Sequence, residues 1–224
     1  MTFSLLGIDP QSGGFGAVIS SSSPAVAARC VAVRAAVGAA ASQNITDPRL
    51  GNRLLDLLAH GASPQQAIDE VVASAPDIGY RQLAAIDTQG RTAAYSGPHT
   101  LGVHACAHGA GAVAAANLLA RTSVPARMIE AFEASPGAKL GDRLIAALRA
   151  GLSAGGEEGP VRSAGLLVAG AVEWPVTDLR VDWSDDPVED LAGLWRLWEP
   201  QSDSYVQRAL DPSAAPTFGV PGDH

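Results

Sequence analysis

The sequence predicts a layered α+β domain, with antiparallel sheets built from hairpins and covered by pairs of helices. Three observations predict it. Strand-like and helix-like stretches alternate in blocks rather than one by one, which argues against a doubly wound βαβ sheet. The first stretch carries apolar residues on both faces, Phe3 and Leu5 on one and Leu6 and Ile8 on the other, as a strand covered on both sides does. The 224 residues are 47% hydrophobic and 17% charged, ordinary for one sizeable globular domain.

The elements follow in order. Asp9-Pro10-Gln11-Ser12-Gly13-Gly14 is dense turn chemistry, so residues 2–20 form a hairpin with a long loop. Residues 30–42 are rich in Val, Ala and Gly and strand-like, with side chains small enough for another layer to approach closely. Asp47-Pro48 pairs an N-cap with a proline at the first helical position, and Leu50, Leu54, Leu57 and Leu58 repeat at helical spacing until Gly61. Ser63-Pro64-Gln65-Gln66 is a capping box opening a second helix that ends at Pro76. Strands at 81–87 and 91–96 flank the turn Asp87-Thr88-Gln89-Gly90. Residues 101–118 are Gly- and Ala-rich and extended. Helices follow from Pro125 and around Leu140–Leu148, then strands at 164–171 and 179–183. Asp186-Pro187-Val188-Glu189 caps a last helix with the stripe Leu191, Leu194, Trp195 and Trp198, read as core or dimer contacts. Residues 1–199 therefore make one domain. Residues 200–224 are proline-punctuated and read as an extended or partly disordered tail that drapes over the domain or a dimer partner.

Composition excludes several function classes. Net charge is −8, from 15 Lys+Arg against 23 Asp+Glu, and the arginines are scattered. A nucleic-acid reader would need a basic patch, and an acidic surface disfavours anionic membranes. The two cysteines are read as reduced thiols, and no secretory signal or membrane span is visible, so a cytoplasmic protein is expected. The glycines of residues 7–16 lead into a strand and not a helix, and no Gly-Lys-Ser/Thr follows, which rules out a phosphate loop. No cofactor is expected.

Five stretches in this order and spacing resemble an uncharacterised bacterial and archaeal family of unknown function. They are MTFSLLGIDPQSGGFGAV, GAAASQNITDPRLGNRLLDLLAHGASPQQAI, RQLAAIDTQGRTAAYSG, NLLARTSVPARMIEAFEAS and DLRVDWSDDPVEDL. The resemblance covers about residues 1–198 and implies the N-terminal-nucleophile (Ntn) hydrolase-like fold, four layers αββα, which matches the block order. This chain departs from the pattern at Pro160-Val161-Arg162-Ser163, where the arginine is displaced by one residue. One step along a strand reverses the face.

The resemblance directs attention to Thr2. After loss of Met1, its hydroxyl would attack an amide and its own α-amine would serve as base. An unperturbed α-amine titrates at about 7.7–8.0 and is substantially neutral near pH 7. Without the resemblance Thr2 is simply a β-branched strand former. Gln43 and Asn44, at the end of the third strand, are candidate oxyanion donors. Ser20 and Ser21, after the second strand, are candidates for substrate contact, and Arg29 or Arg34 for a nearby cation. His104-Ala105-Cys106-Ala107-His108 places two histidines and a thiol on one face if extended, with His99 as a conceivable fourth zinc ligand. Same-face neighbours on one strand rarely converge on an ion, so no metal is expected, and His104 and His108 are read as pocket wall. Arg162 completes the candidate set. The expected function is an Ntn amide hydrolase acting on a small-molecule or peptide amide. The alternative is a non-catalytic small-molecule-binding or structural protein on the same fold. A homodimer is expected in either case.

Overall fold

The computed structural model describes residues 2–220. In chain order the elements are β1 (Thr2–Asp9), β2 (Gly14–Ser21), the short helix α1 (Ala27–Cys30), β3 (Val31–Arg34), β4 (Gly38–Asn44), α2 (Pro48–Ala59) and α3 (Pro64–Ser74). There follow β5 (Arg81–Asp87), β6 (Thr92–Ser96), β7 (Ala105–Gly109), β8 (Ala112–Asn117), α4 (Val124–Glu133) and α5 (Leu140–Ser153). The chain ends with β9 (Ser163–Ala169), β10 (Pro175–Val181), α6 (Pro187–Trp198) and α7 (Ser202–Leu210). The strands form two antiparallel sheets, β10-β9-β2-β1-β8-β7 and β3-β4-β5-β6.

Local chemistry accounts for most boundaries. Asp9 closes the first hairpin by accepting the Gln11 and Ser12 amides and the Ser12 hydroxyl. Gly13 then takes a φ of 69°, a left-handed conformation that glycine adopts without steric cost. The loop is therefore a tight four-residue turn rather than a long one. Asp47 caps α2 through the Arg49 amide at 3.1 Å. Ser63 and Gln66 exchange both bonds of the capping box at the start of α3.

Two segments differ from expectation. The extended stretch at 101–118 is a hairpin, β7 and β8, reversed at Ala110-Gly111 with Gly111 at φ 67°. The tail is not all extended, because residues 202–210 form α7. The prolines at 200, 212 and 216 fall outside that span, so nothing in it opposes a helix. The Tyr205 ring lies 5.0 Å from that of Trp198, which ties α7 to α6, and meets Phe218 edge-on at 6.0 Å.

The layers are helix, sheet, sheet, helix. Phe3, Leu5 and Val18 pack under α4, α5 and α6, whose Met128, Phe132, Leu144 and Trp195 share their core. Ala40, Leu83 and Ala85 pack under α2 and α3. Between the sheets lie Leu6, Ile8, Phe15 and Ala17 against Ala39, Ala41, Ala84 and Ile86. A Cβ at Gly7 would stand 2.5 Å from the Phe132 ring, so the bare glycine is what lets α4 settle on β1.

Candidate functional site

The fold places Thr2 at the end of a strand in the middle of the larger sheet. β1 is paired on one side with β2 and on the other with β8, where Thr2 lies opposite Asn117. Side chains alternate along β1, so Thr2 shares the face of Ser4, Leu6 and Ile8, which points at the second sheet. Thr2 is 4% exposed. Its hydroxyl donates to Ser21 Oγ at 3.5 Å.

A hydrogen-bonded network fills the inter-sheet space beside it. Ser4 Oγ donates to Gln43 Oε1 at 2.8 Å. Gln43 Nε2 donates to Gln82 Oε1 at 2.8 Å and to the Ala115 carbonyl at 3.0 Å. Asn117 Nδ2 donates to the same Gln82 Oε1 at 3.0 Å. Gln82 Nε2 donates to Ser96 Oγ at 3.0 Å and to the Ala116 carbonyl at 3.1 Å. Asn117 Oδ1 is buried and has no hydrogen-bond partner among the described residues.

A carboxyl group stands at the same end. The segment after α5 bridges the end of β8 through Leu119 and Glu157. Glu157 is 4% exposed, and both its oxygens accept the Ser22 amide, at 3.0 and 3.2 Å. Burial lifts its pKa from 4.5 to about 7, against the lowering effect of the Ser22 bonds. Glu157 therefore stands at the Thr2 end of the sheet, bonded to Ser22, the residue after Ser21, and bridged to Leu119, two residues after Asn117.

The candidates from the sequence divide accordingly. Thr2, Ser21 and Gln43 come together on the inter-sheet face. Both Gln43 amide hydrogens are already engaged, so no free donor faces an oxyanion there. Asn44 has φ 73° and holds two loops, donating to the Tyr80 carbonyl at 2.6 Å and accepting the Leu101 amide at 3.2 Å. Ser20 pairs with Phe3 and so faces the helical layer, away from Thr2, where its hydroxyl donates to the Ser163 carbonyl. Arg29 donates to the Pro24 and Ala25 carbonyls, and Arg34 pairs with Asp56. Arg162 gives its side chain to Asp185 and lies over Trp183, while its backbone amide donates to the Ser21 carbonyl at 2.7 Å. His104 is exposed at the Thr2 end of β7, bonded to the Gly102 carbonyl. His108 lies four residues further along, roughly 13 Å away at strand rise, and bonds Thr92 at 2.8 Å. The strand thus separates the two histidines. Among the described residues no group of three or more His, Cys, Asp or Glu is arranged to hold a metal.

Sequence reasoning missed Gln82, Asn117 and Glu157 as site residues. Gln82 and Asn117 carried a usable signal, each being a polar residue in register with alanines on an apolar strand face. Glu157 carried none, because Glu158 beside it in the same glycine-flanked loop is exposed. Clefts lie elsewhere, among them one of about 540 Å³ beside Arg34, Ala36 and Gly170. Another of about 510 Å³ runs between α4 and α5, and one of about 390 Å³ lies at the opposite end of the sandwich beside Ile8, Gly90 and Gly111.

The fold and site define an α+β sandwich of two antiparallel sheets with a buried polar cluster around the second residue. A family model described as "Family of unknown function (DUF1028)" matches residues 2–191, and the chain belongs to that family. A crystal structure of a DUF1028-family protein from Silicibacter pomeroyi superposes with a TM-score of 0.81 at 32% identity, covering 88% of each chain. No curated protein matches the chain. No helix among the described residues is long and apolar enough to cross a membrane.

Proposed function

We propose that this chain is an N-terminal-nucleophile amide hydrolase with Thr2 as nucleophile once Met1 is removed. The observation that supports the reading is the position of Thr2, at the inter-sheet end of a central strand, among buried hydroxyl, amide and carboxyl groups. In that reaction Thr2 Oγ1 attacks the amide carbon and its proton passes to the Thr2 α-amine. The C–N bond then breaks, and the leaving amine carries away that proton. Water, deprotonated by the same amine, hydrolyses the Thr2 ester and returns the free hydroxyl. Glu157, whose pKa burial raises to about 7, adds a carboxyl at the same end of the sheet. The partner is a small-molecule or peptide amide and the proposed compartment is the cytoplasm. A homodimer is part of the proposal, with Leu194 and Leu197 of α6 exposed. A second reading, a binding or structural protein without catalysis, is favoured by one observation, namely that the amide donors of Gln43 are already satisfied within the fold.

Intact mass and chemical trapping test the proposal. Loss of one methionine and a single acyl adduct on the Thr2 peptide from a β-lactone probe are expected. Thr2→Ala should abolish the adduct and cut turnover of a responsive amide on the order of a thousandfold or more. Retained Met1 in protein made with working aminopeptidase, or unchanged turnover in Thr2→Ala, would overturn it.

A further inference from the structure

We infer that Asn117 is a positioning residue whose side-chain carbonyl accepts a hydrogen bond from the freed α-amino group of Thr2. The inference rests on the reading of Thr2 given above and adds a role for a residue on a different strand. Asn117 and Thr2 are directly opposed across β1 and β8, which sets the Asn117 side chain on the same level as the Thr2 main-chain nitrogen. Asn117 is fully buried.

The orientation of its amide is fixed by its neighbours. Gln82 Oε1 accepts from both Gln43 Nε2 and Asn117 Nδ2. Turning the Asn117 amide over would set two carbonyl oxygens against each other and strip Gln82 of a donor. Nδ2 therefore faces the second sheet, and Oδ1 is held on the other side as an acceptor. That oxygen has no donor among the described residues. A buried acceptor left unsatisfied is costly, so the atom calls for a donor. Cleavage before Thr2 creates one, because a peptide N–H becomes an amine or ammonium with two or three hydrogens.

The consequence is electrostatic as well as geometric. An acceptor bonded to the amine favours its charged form and raises its pKa, and it also fixes where the lone pair points when the proton leaves. The titratable groups at this end are Glu157, bonded to the Ser22 amide, His104 beside the start of β7, and the Cys106 thiol against Gln82 and Ser96, while Ser4 and Ser21 are neutral.

The test uses the full chain with Thr2 made the first residue by cleaving a ubiquitin-like fusion directly before it. The α-amine is titrated by NMR in the wild type, Asn117→Ala and Asn117→Asp. The midpoint should fall by about half a unit or more in Asn117→Ala and rise by a similar amount in Asn117→Asp. In the wild type the Asn117 carboxamide carbon signal should titrate with the same midpoint as the amine, a readout that survives if a variant does not fold. An Asn117 carbon signal indifferent to the amine, or midpoints equal in all the folded proteins, would overturn the inference. Neither result depends on turnover. An inert Thr2 would sink the hydrolase reading while leaving this titration intact.

Discussion

The two ends of the space between the sheets share four strands, β1, β8, β4 and β5, and are opposite in character. Reading every second residue from the Thr2 end, β1 runs Thr2, Ser4, Leu6, Ile8 and β8 runs Asn117, Ala115, Val113. Across from them β4 runs Gln43, Ala41, Ala39 and β5 runs Gln82, Ala84, Ile86. All four change from polar to apolar along the same direction. The apolar end is ordinary core. The polar end buries amides that a sheet-on-sheet contact does not need, and it satisfies all but one of the polar atoms named there. Such a division teaches that apolar packing and buried polar groups are laid out along the strands, one at each end, instead of being mixed through the layer.

The largest effect on stability is expected at the apolar end. Phe15→Ala should cost about 3–5 kcal/mol in denaturant unfolding while leaving Thr2 trapping per folded molecule unchanged. A loss of trapping in the folded fraction would show that the two ends are not separable. Next comes Glu157, at the polar end. Its carboxyl titrates at about 7 when folded and near 4.5 when unfolded. Between those values the folded chain holds a proton that the unfolded chain has released, so stability falls as pH rises through the window, by about 3 kcal/mol in all. Unfolding at pH 5 and pH 8 should show this fall in the wild type and a flattened profile in Glu157→Gln. An unaltered profile in the variant would assign the dependence to other groups. The smallest effect lies between the two ends. Gly7→Ala forces a methyl into the Phe132 ring and should cost about 1–3 kcal/mol. It should leave both trapping and the pH profile as they are, since Gly7 faces the helices and not the second sheet.

How much of this was legible in the sequence depends on the range of the interaction involved. The starts of α2 and α3 could be read because Asp47 and Ser63 act on amides two or three residues away. The faces of β1 could be read because alternation is local. The β7–β8 hairpin escaped because Gly-Ala-Gly sits inside a run of small residues that carries no polar turn signal. α7 is hidden in the sequence because prolines punctuate the tail as a whole while sparing 202–210. In the site, Ser20 and Ser21 could not be separated until register placed one on each face. Asn44 was paired with Gln43 by adjacency, and adjacency in a strand means opposite sides. Asn117 meets Gln82 across 35 residues of chain, a pairing that only the stacking of two sheets creates.

The central placement of β1 also sets a clock. The chain is made from its amino end, and β8 does not begin until Ala112. At roughly 5–20 residues per second, Thr2 waits on the order of ten seconds for its second neighbour. During that wait the peptide bond before it lies open to an aminopeptidase. Once β8 docks, Thr2 is 4% exposed. Under the proposed chemistry, maturation is a race between processing and sheet closure. A cell that synthesises the chain faster than it trims it would accumulate molecules that are fully folded and permanently silent.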